Sequence, residues 1–243
     1  MQPATKLTVP ETYRPQQNHL LAALSSAEGE RLFPDMDLVP MQSGHLICES
    51  GGRSRYVYFP IDCIVSLSHL THDGTATEIA AVGNEGMVGI AQMMSMDHTP
   101  SQAVVQSAGH TFRAKAEIVK AEFARGQTLH NLLLRYTQTL LTQMAQNAVC
   151  NRHHWVENQL CRWLLLTLDR LPSNELAITH ESIANTLGVR REAITQAAGK
   201  LQEAGFIRYR RGHITVIDRH GLESRTCECY AVVKKELDGL RLQ

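Results

Sequence analysis

Apolar positions fall in short runs in the first half of the chain and recur every three or four positions in the second half. The β-prone runs span residues 46–48, 56–59, 64–70, 77–82 and 103–112, with glycine-containing turns between them. Short strands at this regular spacing predict a compact antiparallel roll or barrel of roughly eight strands. We expect this part to have a core of its own.

The pattern becomes helical after residue 114, and residues 128–150 contain neither glycine nor proline. Apolar side chains at three- and four-residue spacing in this stretch predict a coiled-coil seam that pairs two copies of the chain. The seam residues are Leu129, Leu133, Tyr136, Leu140 and Met144. A second apolar face, with Leu132, Leu134 and Leu141, is expected to lie on the roll. Burial of the whole helix inside one monomer is the alternative.

Residues 179–218 predict two short helices joined at Gly188, followed by a two-stranded ribbon with an Arg-Arg-Gly tip. Thr179 is a suitable N-cap for the first helix, and the glycine suits a helix end that needs positive φ. The second helix has an apolar stripe on one side and base- and phosphate-binding residue types on the other. These features are typical of a winged helix-turn-helix. The predicted DNA contacts are Thr179, Arg190, Arg191, Glu192, Thr195, Gln196 and Lys200, with Arg208, Arg210 and Arg211 on the wing.

The expected fold class is therefore α+β, with an antiparallel jelly-roll-like domain, a long dimerisation helix and a C-terminal winged helix-turn-helix. The predicted boundaries are a loose arm over residues 1–18, a sensor roll over 19–126, the dimerisation helix over 127–154 and the DNA-binding domain over 155–243.

Composition narrows the function classes further. The 243 residues carry no net charge, with a slight positive excess in residues 151–243. No apolar run approaches the ~20 residues that span a bilayer, and no secretion signal is present, so a cytoplasmic protein with reduced cysteines is expected. No Cys-x-x-Cys pair, Gly-rich phosphate loop or nucleophile motif occurs, and neither a metal site nor an enzyme activity is predicted.

The order of roll, long helix and winged domain resembles the CRP/FNR superfamily of bacterial transcription regulators. The resemblance covers roughly residues 19–240 and is strongest over residues 179–207, where GVRREAITQAAGKLQEAGFI follows the family pattern. It places Arg191 and Glu192 on the family's base-reading pair. Gln196 stands where a second reading arginine is usual, and Arg190 replaces a small helix-capping residue. Gln196 should therefore shift preference from guanine towards adenine at one position of each half-site.

The roll is similar in outline to the family's cyclic-nucleotide-binding domain. The ribose-binding Glu position is occupied by Ile90, and the phosphate-binding Arg position by Ser101. Without those charged groups we expect no binding of cyclic AMP or cyclic GMP in the usual way. The candidate residues for another small-molecule effector are Met87, Ile90, Met93, Ser101 and Gln102. Methionines that simply fill the core are the alternative. No motif supports haem, and residues 1–40 lack the cysteines of an iron–sulfur sensor.

The resemblance implies a homodimeric, sequence-specific DNA-binding regulator whose residues 190–200 enter the major groove at an inverted repeat. The roll would modulate DNA binding, and RNA polymerase is an expected partner if the protein activates transcription. A small-molecule-binding module whose helix-turn-helix contacts proteins is the alternative function.

Overall fold

The computed structural model describes residues 13–72, 76–94, 98–99 and 101–240. Within them, the roll contains seven strands rather than roughly eight. They are β1 (Asp37–Met41), β2 (Leu46–Cys48), β3 (Tyr56–Pro60), β4 (Ile64–Leu70), β5 (Ala76–Val82), β6 (Gln102–Ser107) and β7 (Gly109–Lys115). One sheet has the order β1-β7-β3 and the other β2-β6-β4-β5, with all pairs antiparallel.

The roll is framed by short helices and continues into the long one. The helices are α1 (His19–Ala22), α2 (Ser26–Leu32), α3 (Ile90–Met93), α4 (Ala116–Ala124) and α5 (Thr128–His153). Part of the predicted arm belongs to this domain, because Asn18 is fully buried and its amide donates to the carbonyls of Pro60 and Gly86. Residues 1–12 of the arm lie outside the described residues.

The winged domain follows a two-residue break after α5. It consists of α6 (Val156–Leu168), β8 (Glu175–Ala177), α7 (His180–Leu187), α8 (Arg191–Glu203), β9 (Ile207–Arg210), β10 (His213–Val216), α9 (Arg219–Arg225) and α10 (Glu228–Gly239). Its small sheet has the order β8-β10-β9. No helix in the described parts of the chain has the length and apolar character needed to cross a membrane.

The predicted seam of α5 faces the chain's own roll, which corrects the assignment of its two faces. Leu129, Leu133, Tyr136 and Leu140 are at most 6% exposed and lie in the roll's core, and Met144 packs against the same core. The Tyr136 hydroxyl donates to the Met87 carbonyl at 2.9 Å. This packing argues against the dimerisation role predicted for the four buried side chains, because the chain's own roll covers them, whereas Met144 is half-buried.

The opposite side of α5 is solvent-exposed and contains large apolar side chains. Leu134 is 51% exposed and Leu141 56% exposed, seven positions apart. Gln138, Ala145 and Ala148 are also exposed, so the stripe continues at alternating three- and four-residue spacing. Both faces of α5 carry a seam-like pattern, and only packing against the roll decides which one remains available.

An ion pair and the C-terminal helix are among the contacts that join the winged domain to the rest of the chain. Arg170, just after α6, forms a buried ion pair with Glu85 of the roll, with Nε 2.8 Å from Oε1. At its far end α10 reaches back to the roll: Leu240 is buried in the roll's core, and Arg135 of α5 donates to the Gly239 carbonyl. The C-terminal helix therefore packs on both domains and not only on the winged one.

Candidate nucleic-acid interface

The two helices of the predicted DNA reader form for local reasons that the sequence already contains. The Thr179 hydroxyl caps α7 by accepting from the Ser182 amide at 3.1 Å. Gly188 ends the helix at φ +66°, in the left-handed region that glycine adopts without strain. Arg190 occupies the N-cap of α8 but makes no side-chain capping bond, so its guanidinium is not engaged in holding the helix end.

Helix α8 has one buried face and one exposed face, as predicted. Ile194, Ala197, Ala198 and Leu201 are at most 5% exposed and lie in the core of the winged domain. All seven predicted contacts at α7 and α8 are exposed: Thr179, Arg190, Arg191, Glu192, Thr195, Gln196 and Lys200. The helix therefore presents charged and amide side chains outwards on a rigidly packed support.

The wing is a β-hairpin with a two-residue loop. His213 pairs with Arg210 across β9 and β10, which leaves Arg211 and Gly212 as the loop. Both have positive φ, at 49° and 81°. Two successive left-handed residues are typical of a type I′ turn, where asparagine and glycine are preferred. Arg211 thus holds a long cationic side chain at a position that strains its backbone.

His180 connects the three parts of this interface and was missed in the sequence analysis. Its ring stacks on Tyr209 of the wing with centroids 3.9 Å apart, and its Nδ1 lies 3.1 Å from the Thr195 hydroxyl of α8. Burial, with the nearby Arg191 charge, lowers the pKa of His180. The sequence showed a histidine at the start of α7 and an aromatic residue on the wing, but it did not show that their rings meet.

Two of the predicted DNA-contacting cations lie near carboxylates of the same domain. Lys200 lies at the edge of the exposed face, with Nζ 3.6 Å from Glu157 of α6. Arg191 lies 4.0 Å from Glu181. Such exposed pairs contribute little to stability, so both cations can exchange a carboxylate for a phosphate or a base edge.

The helix-turn-helix also borders the roll. Thr179 and Arg211 line a cavity of about 590 Å³ together with Ser43, Ser68 and Glu78 of the roll. Burial raises the pKa of Glu78 to about 7. The cavity lies between the domain expected to read DNA and the domain expected to sense a signal.

The roll encloses a second cavity of about 700 Å³, which three of the five candidate effector residues line: Met87, Ile90 and Ser101. The other two do not line it. Met93 is buried in the roll's core, and Gln102 lies at the interdomain cavity with its amide donating to Ser68. The predicted ligand set is thus corrected at these two positions.

The structure also brings together four side chains that sequence spacing had separated. Cys150, His154, Cys227 and Cys229 have their sulfur and imidazole nitrogen atoms within 4.8 Å of one another. The two halves of the group are 77 positions apart between Cys150 and Cys227. The Cys-x-x-x-His and Cys-x-Cys patterns were visible in the sequence, but nothing local showed that they meet.

Comparisons with known proteins agree with this geometry. Residues 158–225 match the model of the Crp-like helix-turn-helix domain. A search of curated protein sequences found no match.

Among solved structures, a CRP/FNR-family regulator from Eubacterium rectale is 20% identical, with TM-score 0.63, over 85% of this chain and 96% of its own. FixK2 from Bradyrhizobium japonicum is 16% identical, with TM-score 0.65, over 79% and 98% of the two chains. A CRP/FNR-family regulator from Thermus thermophilus is 20% identical, with TM-score 0.58, over 78% and 97%.

These likenesses confirm the resemblance and the α+β fold class predicted from the sequence. The chain carries a Crp-like helix-turn-helix domain within the fold of the CRP/FNR transcriptional regulators.

Proposed function

We propose that this protein is a dimeric, sequence-specific DNA-binding transcription regulator that acts in the cytoplasm. The observation that carries the proposal is the outward face of α8, where Arg191, Glu192 and Gln196 stand exposed on a helix whose other face is buried. Arginine pairs with guanine, glutamate accepts from cytosine, and glutamine pairs with adenine. Each helix would enter a major groove, with half-sites about one helical turn apart in an inverted repeat.

Base reading and phosphate binding are assigned to different parts of the interface. Arg191 would contact a base edge, whereas Arg208, Arg210 and Arg211 on the wing would contact phosphates. Arg191→Ala should relax specificity at one base pair, by about 1–3 kcal/mol. Arg211→Ala should weaken binding to all sequences alike and reduce the salt slope by about one.

Binding-site selection from random duplexes, followed by gel shifts at several salt concentrations, tests this assignment. Gln196→Arg should convert one selected adenine per half-site to guanine, with the other positions unchanged. Failure of the wild-type protein to bind any duplex would instead favour a helix-turn-helix that contacts proteins. Identical behaviour of the Arg191→Ala and Arg211→Ala variants would contradict the division of roles.

Dimerisation is proposed through the exposed stripe of α5. Two helices joined there would bury Leu134 and Leu141, which are otherwise large apolar side chains in water. Leu141→Glu should convert the dimer to a monomer in analytical ultracentrifugation. Leu70→Glu, at a side chain 48% exposed on the roll, is the matched control and should leave the dimer intact. A dimer that survives both Leu134→Glu and Leu141→Glu would contradict the stripe's role.

One loop of the roll offers a route from the sensor to the reader. Met87 lines the roll's cavity, while Glu85 in the same loop holds Arg170 of the winged domain. The intervening Gly86 packs so closely on the Tyr136 ring that an added Cβ would clash with the ring. A ligand that displaces this loop would therefore disturb α5 and the winged domain together.

The effector itself is proposed to be a small anion with an apolar part. Arg53, Arg55 and Lys120 line the cavity beside Met87, and Glu117 is the only carboxylate among its described lining residues. Ile90 and Ser101 also line it, and neither supplies the charge that the family's nucleotide contacts need. Isothermal titration with cyclic AMP and cyclic GMP should give no binding, and micromolar binding of either would contradict the expectation that this roll does not bind cyclic nucleotides.

A further inference from the structure

Four metal-ligating side chains meet where α5 gives way to the winged domain. Cys150 and His154 come from the last turn and C-cap of α5, and Cys227 and Cys229 from the N-cap and first turn of α10. The Cys150 and Cys227 sulfurs are 3.6 Å apart, and the Cys229 sulfur is 3.6 Å from Nδ1 of His154. All four ligand atoms lie within 4.8 Å of one another.

These separations fit a tetrahedral site around one ion. Zinc–sulfur bonds of about 2.3 Å and zinc–nitrogen bonds of about 2.0–2.1 Å place tetrahedral ligands about 3.8 Å apart for two sulfurs and about 3.6 Å apart for sulfur and nitrogen. A cluster with two or more irons needs wider spacing between its terminal thiolates than one shared centre. Thiolate-rich donor sets also disfavour magnesium and calcium, which prefer oxygen.

We propose that Cys150, His154, Cys227 and Cys229 form a structural zinc site. It has four protein ligands and no open position, as in closed Cys₃His sites. The ion would join the end of α5 to the start of α10.

The surroundings of the four ligands support a metal. His154 Nε2 lies 3.3 Å from a carboxylate oxygen of Glu228, so the outer nitrogen can donate there while Nδ1 keeps its lone pair for the ion. The side chain of Arg162 is buried nearby and offsets the net negative charge that three thiolates and one Zn²⁺ leave.

A cysteine outside the group has the surroundings expected of a side chain that only fills the core. Cys161 is fully buried, and it lies among the leucines of the winged domain's core. Cys150, Cys227 and Cys229 instead form a small cluster of their own, with an imidazole turned towards it. Plain packing needs no imidazole nitrogen 3.6 Å from a sulfur.

The position of the site means that a bound ion would affect how the winged domain is arranged relative to α5. His154 lies in the two-residue break between α5 and α6, and the ion would close a loop from Cys150 to Cys227 that contains most of the winged domain. Metal binding contributes its free energy to the folded arrangement that holds the ligands together. Zinc would therefore fix the orientation of the winged domain on α5.

The test uses the full chain, purified under reducing conditions, stripped with a chelator and reconstituted with zinc or cobalt. Bound zinc per chain is measured after desalting, and the cobalt protein is examined for the absorption bands of tetrahedral, thiolate-bound Co²⁺. Wild-type protein should hold one zinc and show these bands. Cys229→Ala should lose both, whereas the matched control Cys161→Ala should retain both.

Glu228→Gln keeps the test decisive if ligand variants fail to fold, because the Glu228 side chain is 75% exposed and its replacement leaves the core intact. We expect this variant to bind zinc about 10–100-fold more weakly than wild type. Hydrogen exchange at α10 should also slow when zinc is added to the wild-type protein. These readouts do not involve DNA, so they are independent of the proposed regulatory function.

Three results would overturn the inference. One is folded, reduced wild-type protein that takes up no stoichiometric zinc. Another is loss of zinc in Cys161→Ala to the same extent as in Cys229→Ala. The third is a Cys150–Cys227 disulfide, found by mass spectrometry, in place of a bound metal.

Discussion

Arg170→Met should be the most informative single change in this protein, because it breaks a buried ion pair between the two domains. The side chains of Arg170 and Glu85 are only 4% and 3% exposed, with 2.8 Å between Nε and Oε1. Arg170 also donates to the carbonyls of Leu166 and Ala81, both at 3.2 Å. Gly83 leaves room for it, since an added Cβ there would lie 2.8 Å from the arginine stem.

The size of the effect follows from what the substitution leaves behind. Methionine fills much of the same volume but leaves the Glu85 carboxylate buried, with the Gly83 amide as its remaining hydrogen-bond donor. An uncompensated buried charge of this kind costs about 3–5 kcal/mol. Removing both charges in the variant Arg170→Met/Glu85→Gln should recover at least about 2 kcal/mol of that loss, because no ion then stays buried without its partner.

Urea unfolding of the wild-type protein, the two single variants and the double variant measures the coupling as a thermodynamic cycle. Trp163, buried in the winged domain's core, provides the fluorescence signal. Arg225→Met is the control, since Arg225 pairs with Glu157 at 2.9 Å but is 44% exposed. We expect this control to lose less than about 1 kcal/mol.

An Arg170→Met variant that loses no more stability than Arg225→Met would refute the reasoning. So would additive effects of the two single substitutions, because the pair would then not act as one interaction across the domain boundary. A large coupling energy would identify the Glu85 loop as the main polar link between roll and reader.

Three further predictions concern single side chains. Burial raises the pKa of Glu78 from 4.5 to about 7, so the stability that its protonated form gives is complete below about pH 4.5 and is lost as the pH rises through 7. Glu78→Gln should remove that loss, by roughly 2–3 kcal/mol across this pH window in urea unfolding. Gly199→Ala should stabilise the protein by about 0.5–1 kcal/mol in thermal unfolding, because an added Cβ meets nothing within 4 Å in the middle of α8. Arg211→Asn should raise stability by up to about 1 kcal/mol, since asparagine tolerates φ +49°, while weakening DNA binding in gel shifts.

Each of these has a contrary result. An unchanged pH profile in Glu78→Gln would mean that Glu78 titrates alike in the folded and unfolded states. A destabilised Gly199→Ala variant would mean that the added methyl group clashes with a neighbour and that the space beside Gly199 is not open. An Arg211→Asn variant with full DNA affinity would remove the wing-tip cation from the proposed contact surface.

Sequence reasoning predicted the elements that depend on neighbouring residues. The stripe of Ile194, Ala197, Ala198 and Leu201, the cap at Thr179 and the positive φ at Gly188 depend on residues within a few positions of one another. Helical periodicity and capping therefore predict α7, α8 and the exposed face of α8 correctly. The same reasoning gave the extent of α5, because a long stretch without glycine or proline with repeated apolar positions has few other stable forms.

Which face of a helix is buried, and which remote residues meet, depends on the packing of the whole chain. Leu133 and Leu134 are adjacent on a helix with two apolar sides, and only packing against the roll buries the first and leaves the second in water. Arg170 meets Glu85, and Cys150 meets Cys227, across 85 and 77 positions of chain. Periodicity shows which side of a helix or strand is apolar. The distance between remote segments is set by how whole domains pack. The interdomain ion pair and the cluster of potential metal ligands both result from that packing.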